Sequence, residues 1–218
     1  MNANENRDLI YIQRIEKHYS ELLDSFQHIH NLDEFVQNNV YVKAVIFDFM
    51  QISELLNSTS DLVKEHFSKK EISGIVTTRN IAAHRYYKLK METTYNNIKN
   101  ELPLVIKTLS SLKDEIYRIL IEQVLYKEVK VYIDDVKFNK NKTISYGYIT
   151  NFINKEGKYQ PAYVIDGRIN TLYYQGQVIG YLLDDKQDTI LIVTNSNKEE
   201  AIKELKDIDG IKYTELMV

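Results

Sequence analysis

Six of the seven glycines lie at or beyond position 147, and only Gly74 precedes them. Glycine weakens helices and permits tight turns, so this asymmetry divides the chain into two regions of different character. The first half suits long helices. The second, punctuated by Gly147, Gly157, Gly167, Gly176, Gly180 and Gly210, suits strands and turns. All five histidines (His18, His28, His30, His66 and His84) fall in the first half.

Apolar spacing fills in the helices. Residues 8–26 place Ile12, Ile15, Tyr19, Leu22 and Phe26 three and four apart, one stripe of an amphipathic helix. Residues 32–57 carry Phe35, Val36, Val40, Ile46, Phe49, Ile52 and Leu56, which predicts a longer helix, apolar enough to be central. Ser68 and Glu71 match a capping box, so a helix is expected to start near Lys69. Tyr95, Ile98, Leu102, Val105 and Leu109 define another helix, with Pro103 inside it to kink it. Residues 114–129 extend that helix or form a separate one.

Beyond Val129 the period shortens. KVYIDDVKF, TISYGYITNFI, YQPAYVID, TLYYQGQVIGYLL and DTILIVT are rich in β-branched and aromatic residues and separated by turn signals. SNKEEAIKELKDI reads as a short amphipathic helix, and Asp209-Gly210 turns the chain into a last strand, IKYTELMV. The expected fold is an all-α bundle over residues 1–113, a connecting helix or linker over 114–128, and a β-rich α+β domain over 129–218. By analogy alone, the strand–helix–strand ending is similar to ferredoxin-like regulatory modules.

Charge and composition narrow the function. Residues 1–113 hold 14 basic and 14 acidic residues, and residues 114–218 hold 14 and 17, which accounts for the net charge of -3. The second domain is therefore a poor basic platform, and any nucleic-acid contact must be local. With no cysteine, thiol catalysis, disulfides and cysteine-ligated zinc are excluded. The first twenty residues contain no signal-peptide-like apolar run, and no stretch approaches the roughly 20 apolar residues that span a bilayer. A cytoplasmic location with no membrane contact is expected.

One short run combines basic, imidazole and phenolic groups. RNIAAHRYYKLK, residues 79–90, contains Arg79, His84, Arg85, Tyr86, Tyr87, Lys88 and Lys90 and no acid. RNA is cut without metal when a base takes the 2′-hydroxyl proton, an acid protonates the leaving 5′-oxygen and a cation stabilises the phosphoryl oxygens. Histidine suits the proton transfers, and arginine suits the phosphate. One histidine per chain invites a two-fold dimer that pools two such segments. On a regular helix Arg79 and His84 would stand about 140° apart, so either the helix ends near His84 or the pair converges across a dimer axis. Taken alone, the spacing favours a structural role, with His84 bonded at a helix end and Arg79 in a surface ion pair.

The surroundings of this run carry a resemblance. It follows FDFMQISELLNSTSDLVKEHF and precedes NNIKNELPLVIKTL. Gln51-Ile52-Ser53-Glu54-Leu55, Arg79-Asn80, His84, Tyr86 and Asn100-Glu101-Leu102-Pro103 occur in that order, and the opening DLIYIQRIEKHYSELL is also similar. Residues 7–110 thereby resemble HepT, the toxin of the MNT–HEPN toxin–antitoxin systems within the HEPN ribonuclease superfamily. The resemblance implies a dimerising bundle of four to five helices and a metal-independent endoribonuclease needing no cofactor. It implies that Arg79 and His84 are catalytic, with Asn80 as polar helper. It further implies that Tyr86, not Tyr87, is adenylylated by a nucleotidyltransferase antitoxin of MNT type. Family members usually end soon after the proline-bearing helix, whereas this chain continues to residue 218. The alternative is a non-catalytic HEPN scaffold or binding module whose C-terminal domain senses a ligand or partner.

Other clusters are weaker. His28 and His30 with Asp33 and Glu34 read as solvated loop residues rather than metal ligands. His66 precedes the basic run closely enough to share its cleft. Asp134-Asp135 and Asp184-Asp185 read as acids at strand ends or turns.

Overall fold

The computed structural model describes residues 3–37, 39–68, 75, 90–139, 142–166, 171–206 and 215–217. The chain divides into two units, Ala3–Ile116 and one built on Tyr117–Val218.

The first unit is helical. Helix α1 spans Ala3–Phe26, α2 Leu32–Gln37, α3 Asn39–Asn57 and α4 Asp61–Lys64. Helix α5, Met91–Asn96, passes through a π-helical turn at Asn97–Glu101 into α6, Leu102–Val124. The α1 stripe is realised: Ile12, Ile15 and Leu22 are fully buried, joined by Leu9. They pack with Val45, Phe49, Ile52 and Leu56 of α3, the central helix that its apolar content predicts. The single helix expected over 32–57 is instead described as α2 and α3, on either side of residue 38. The helix start expected near Lys69 lies outside the described residues.

Pro103 explains the π turn. A proline inside a helix donates no hydrogen bond and crowds the carbonyl four residues back. Widening the preceding turn to π spacing accommodates this without breaking the helix. Residues 114–124 then continue α6, so the extended-helix alternative is the one observed.

Among the described residues, the second unit contains the last turns of α6 and six strands: β1 Glu128–Asn139, β2 Lys142–Ile153, β3 Tyr159–Val164, β4 Tyr173–Leu183, β5 Thr189–Thr194 and β6 Glu215–Met217. Helix α7, Lys198–Lys206, lies between β5 and β6. The order β1-β2-β3-β5-β4 closes on itself because β1 also pairs β4, giving a five-stranded barrel, and β6 adds to β4. The β3–β5 ladder is parallel; the others are antiparallel. The expected β-rich α+β layout is therefore present. The strand–helix–strand ending does flank β4, as in a split βαβ unit, but it belongs to a closed barrel rather than an open ferredoxin-like sheet.

Closure depends on two glycines. A Cβ on Gly147 would lie 2.0 Å from the Tyr132 carbonyl oxygen, beside the register shift at Ile133/Asp135 where β1 bends. A Cβ on Gly176 would lie 2.5 Å from the Tyr174 ring. Val131, Ile149, Ala162, Val164, Val178, Leu191 and Val193 fill the interior. On the other face, Ala201 and Leu205 of α7 pack on Ile144, Tyr163, Ile165 and Ile192.

Candidate functional site

Arg79, Asn80, His84, Tyr86 and Tyr87 lie outside the described residues; of the basic run only Lys90 is described, and it is exposed. The chain is described up to Ser68 before the run and from Lys90 after it, and both stretches are tied into the helical unit.

On the upstream side the Gln51–Leu55 element sits in α3, with Ile52 and Ser53 buried and Glu54 exposed. The Ser53 hydroxyl donates back to the Phe49 carbonyl at 2.7 Å, and Thr59 donates to Leu56 at 2.8 Å. The Ser60 amide and hydroxyl then donate to the two carboxylate oxygens of fully buried Asp8, at 2.9 and 2.5 Å. A buried carboxylate is tolerable only with such donors, and here they lock the α3–α4 junction to α1. On the downstream side, Tyr95 of α5 packs its ring 5.5 Å from both Phe26 and Phe35. Asn100-Glu101-Leu102-Pro103 forms the passage from the π turn into α6.

The secondary candidates resolve into structural roles. His66 donates Nδ1–H to the Leu62 carbonyl at 2.9 Å and is exposed. His28 stacks on Tyr41 with ring centroids 4.7 Å apart. The Glu34 amide bonds the Asn31 side chain while the Glu34 carboxylate receives the His30 amide, both at 2.9 Å, a reciprocal cap of α2. Asp184 accepts the Lys186 and Asp188 amides at 2.8 Å each, closing the β4–β5 turn. Asp134 does not end a strand: it occupies the register shift within β1.

One cluster was not legible in the sequence. His18 of α1 places Nδ1 3.0 Å from the Asp48 carboxylate of α3 and 3.4 Å from Glu21. The three residues offer ligand atoms within 4.8 Å of one another, a geometry that serves a salt-bridged histidine as well as a cation. Asp48 is only 6% exposed. Burial raises its carboxyl above the usual range, against the opposing bond and charge of His18. The His18–Glu21 spacing is visible on a helix, but the 30 residues between His18 and Asp48 hide the pair.

The helical unit has a buried central helix, α3, and the Arg–x4–His run of the sequence falls between α4 and α5. Residues 15–112 match the family described as Ribonuclease HepT-like, and the helical unit is similar to that family. The match spans slightly less than half of the chain and assigns nothing to the barrel. No curated protein and no solved structure matches the chain. Among the described residues, no helix is long and apolar enough to cross a membrane.

Proposed function

We propose that this chain is a metal-independent endoribonuclease, the toxin of a toxin–antitoxin pair acting in the cytoplasm. The observation that carries the reading is a pair of concordant signals. Residues 15–112 match the HepT-like ribonuclease family, and Arg79-Asn80, His84 and Tyr86 stand within that span in the order of the family pattern the sequence resembles.

In this reading one His84 takes the 2′-hydroxyl proton as the 2′-oxygen attacks phosphorus. The 5′-oxygen leaves with a proton from a second histidine, and a 2′,3′-cyclic phosphate remains. Arg79 binds the non-bridging oxygens as they gain charge, and Asn80 donates a further hydrogen bond. A homodimer supplies both histidines at a composite site. A nucleotidyltransferase partner silences the site by placing AMP on Tyr86, which puts a phosphodiester charge beside Arg79 and bulk in the RNA path.

The test is RNA cleavage by purified protein in excess EDTA, with His84→Ala and Arg79→Ala as comparisons. Both variants should lose at least about 10²-fold in rate while keeping the parent's circular dichroism. Equal cleavage by the variants would remove this site from the reaction.

A further inference from the structure

The barrel carries an exposed aromatic and cationic track that the ribonuclease reading does not use. On the outer face of the β1–β4 ladder, Tyr132 pairs with Tyr173, Lys130 with Gln175 and Glu128 with Gln177. Tyr132 and Tyr173 are 38% and 49% exposed, and their rings meet edge to face at 5.5 Å. The Lys130 ammonium lies 4.0 Å above the Tyr173 ring. Tyr148 stands directly opposite Tyr132 on β2 and contacts Tyr146 at 5.4 Å, so the ledge continues onto a third strand.

A second aromatic–lysine pair marks the other end. Tyr126, 55% exposed, has the Lys198 ammonium 5.0 Å from its ring centroid and 3.2 Å from its hydroxyl. Its backbone sits in the left-handed region at φ 61°, where a helix end ordinarily places glycine. Two hydrogen bonds hold it there: its amide donates to the Val178 carbonyl at 2.7 Å, and Gln177 donates to its carbonyl at 2.8 Å. The fold thus maintains a bulky exposed ring at a position that disfavours one.

We propose that this track binds single-stranded RNA, the substrate class of the ribonuclease reading. Glu128 to Tyr132 spans about 13 Å at strand rise, room for about four nucleotides at the ~3.4 Å stacked spacing of a strand. Exposed tyrosine faces accept any base by stacking. Each lysine beside a ring supplies a phosphate counter-charge, and the Gln175 and Gln177 amides lie between. Five-stranded Greek-key barrels recur as oligonucleotide binders, but the residues, not the architecture, make the case. With two lysines, one intervening acid and a net-acidic domain, affinity comes from stacking more than from charge. The choice of RNA as occupant rests on the ribonuclease reading.

The experiment is fluorescence anisotropy of full-length His84→Ala protein with a fluorescein-labelled 12-nucleotide oligouridine, titrated at several salt concentrations. Binding should show a log–log salt slope near -1.4, as two phosphate contacts on a single strand require. Tyr132→Ala and Tyr173→Ala should each weaken it about tenfold. Lys130→Gln, a surface change that leaves the barrel intact, should halve the slope. Double-stranded RNA should compete poorly, since its bases are already stacked. Unchanged affinity in all three variants, a slope of four or more phosphates, or no binding by the full chain would each overturn the proposal. The two readings fail separately. Loss of binding in the tyrosine variants, together with no cleavage by the parent that keeps His84, sinks the ribonuclease reading and keeps the track. Unaltered binding in those variants, together with cleavage by that parent, does the reverse.

Discussion

The Tyr117 hydroxyl donates to the Gln160 side-chain oxygen at 2.6 Å, joining the last turns of α6 to β3 inside the barrel unit. Gln160 is fully buried, and its amide nitrogen is already committed to the Thr189 carbonyl at 2.7 Å. Tyr117→Phe leaves the ring packed on Phe152 but orphans a buried acceptor. Urea unfolding should show a loss of about 1–3 kcal/mol. A change within about 0.5 kcal/mol, the range of ordinary surface substitutions, would mean that the bond is not formed in solution.

The His18–Asp48 pair has a pH signature. The Asp48 carboxyl is raised above its ordinary value chiefly by burial, so the folded protein holds that proton to higher pH than the unfolded chain does. Its contribution is therefore most favourable below the ordinary carboxylate range and declines as pH rises through the raised folded value. Asp48→Asn should abolish this decline, so the variant gains on the parent from acid to neutral pH. His18→Ala, which strips the carboxylate of its partner, should cost about 1–3 kcal/mol at neutral pH. Chemical denaturation across the acid range checks both, and a parent–Asn difference that does not change with pH would contradict the assignment.

Barrel closure should be intolerant at Gly147 and Gly176. A methyl at Gly147 meets backbone, the Tyr132 carbonyl, and so cannot be relieved by side-chain motion. Gly176→Ala meets the Tyr174 ring at 2.5 Å and Val193 at 3.1 Å, and should cost about 1–3 kcal/mol as overpacking does. Gly147→Ala should be the worse of the two. Thermal melts of both variants decide the ranking.

Tyr86 provides the test of control. Co-expression with a cognate nucleotidyltransferase should add AMP to the chain, mapped to Tyr86 by peptide mass and absent in Tyr86→Phe. Modification on Tyr87, or neutralisation of an unmodified chain, would move the regulatory site elsewhere.

The helical half was legible because its information is local. Ile12, Ile15 and Leu22 sit within one helix, and their three-and-four spacing reports burial directly. Where a local rule competes with another, the reading blurred. Pro103 was expected inside a helix, and the turn before it has π spacing, which the sequence pattern does not specify. The barrel was legible only as a set of strands. Its closure depends on the β3–β5 and β1–β4 ladders, whose partners, such as Val131 and Tyr174, are far apart in the chain. Lys130 and Tyr173, joined by the same ladder, were invisible for that reason. The Arg79–His84 motif was readable from residue types and from the sequence around it, while the placement of those side chains is a matter of geometry that spacing alone does not give.

The most direct test of the central claim is end-group analysis of RNA incubated with the parent protein and with His84→Ala, both in EDTA. The account predicts 2′,3′-cyclic phosphate or its opened product from the parent, and at least about a 10²-fold slower appearance from the variant. Cleavage that stops in EDTA, leaves 3′-hydroxyl ends or proceeds equally in His84→Ala would contradict it.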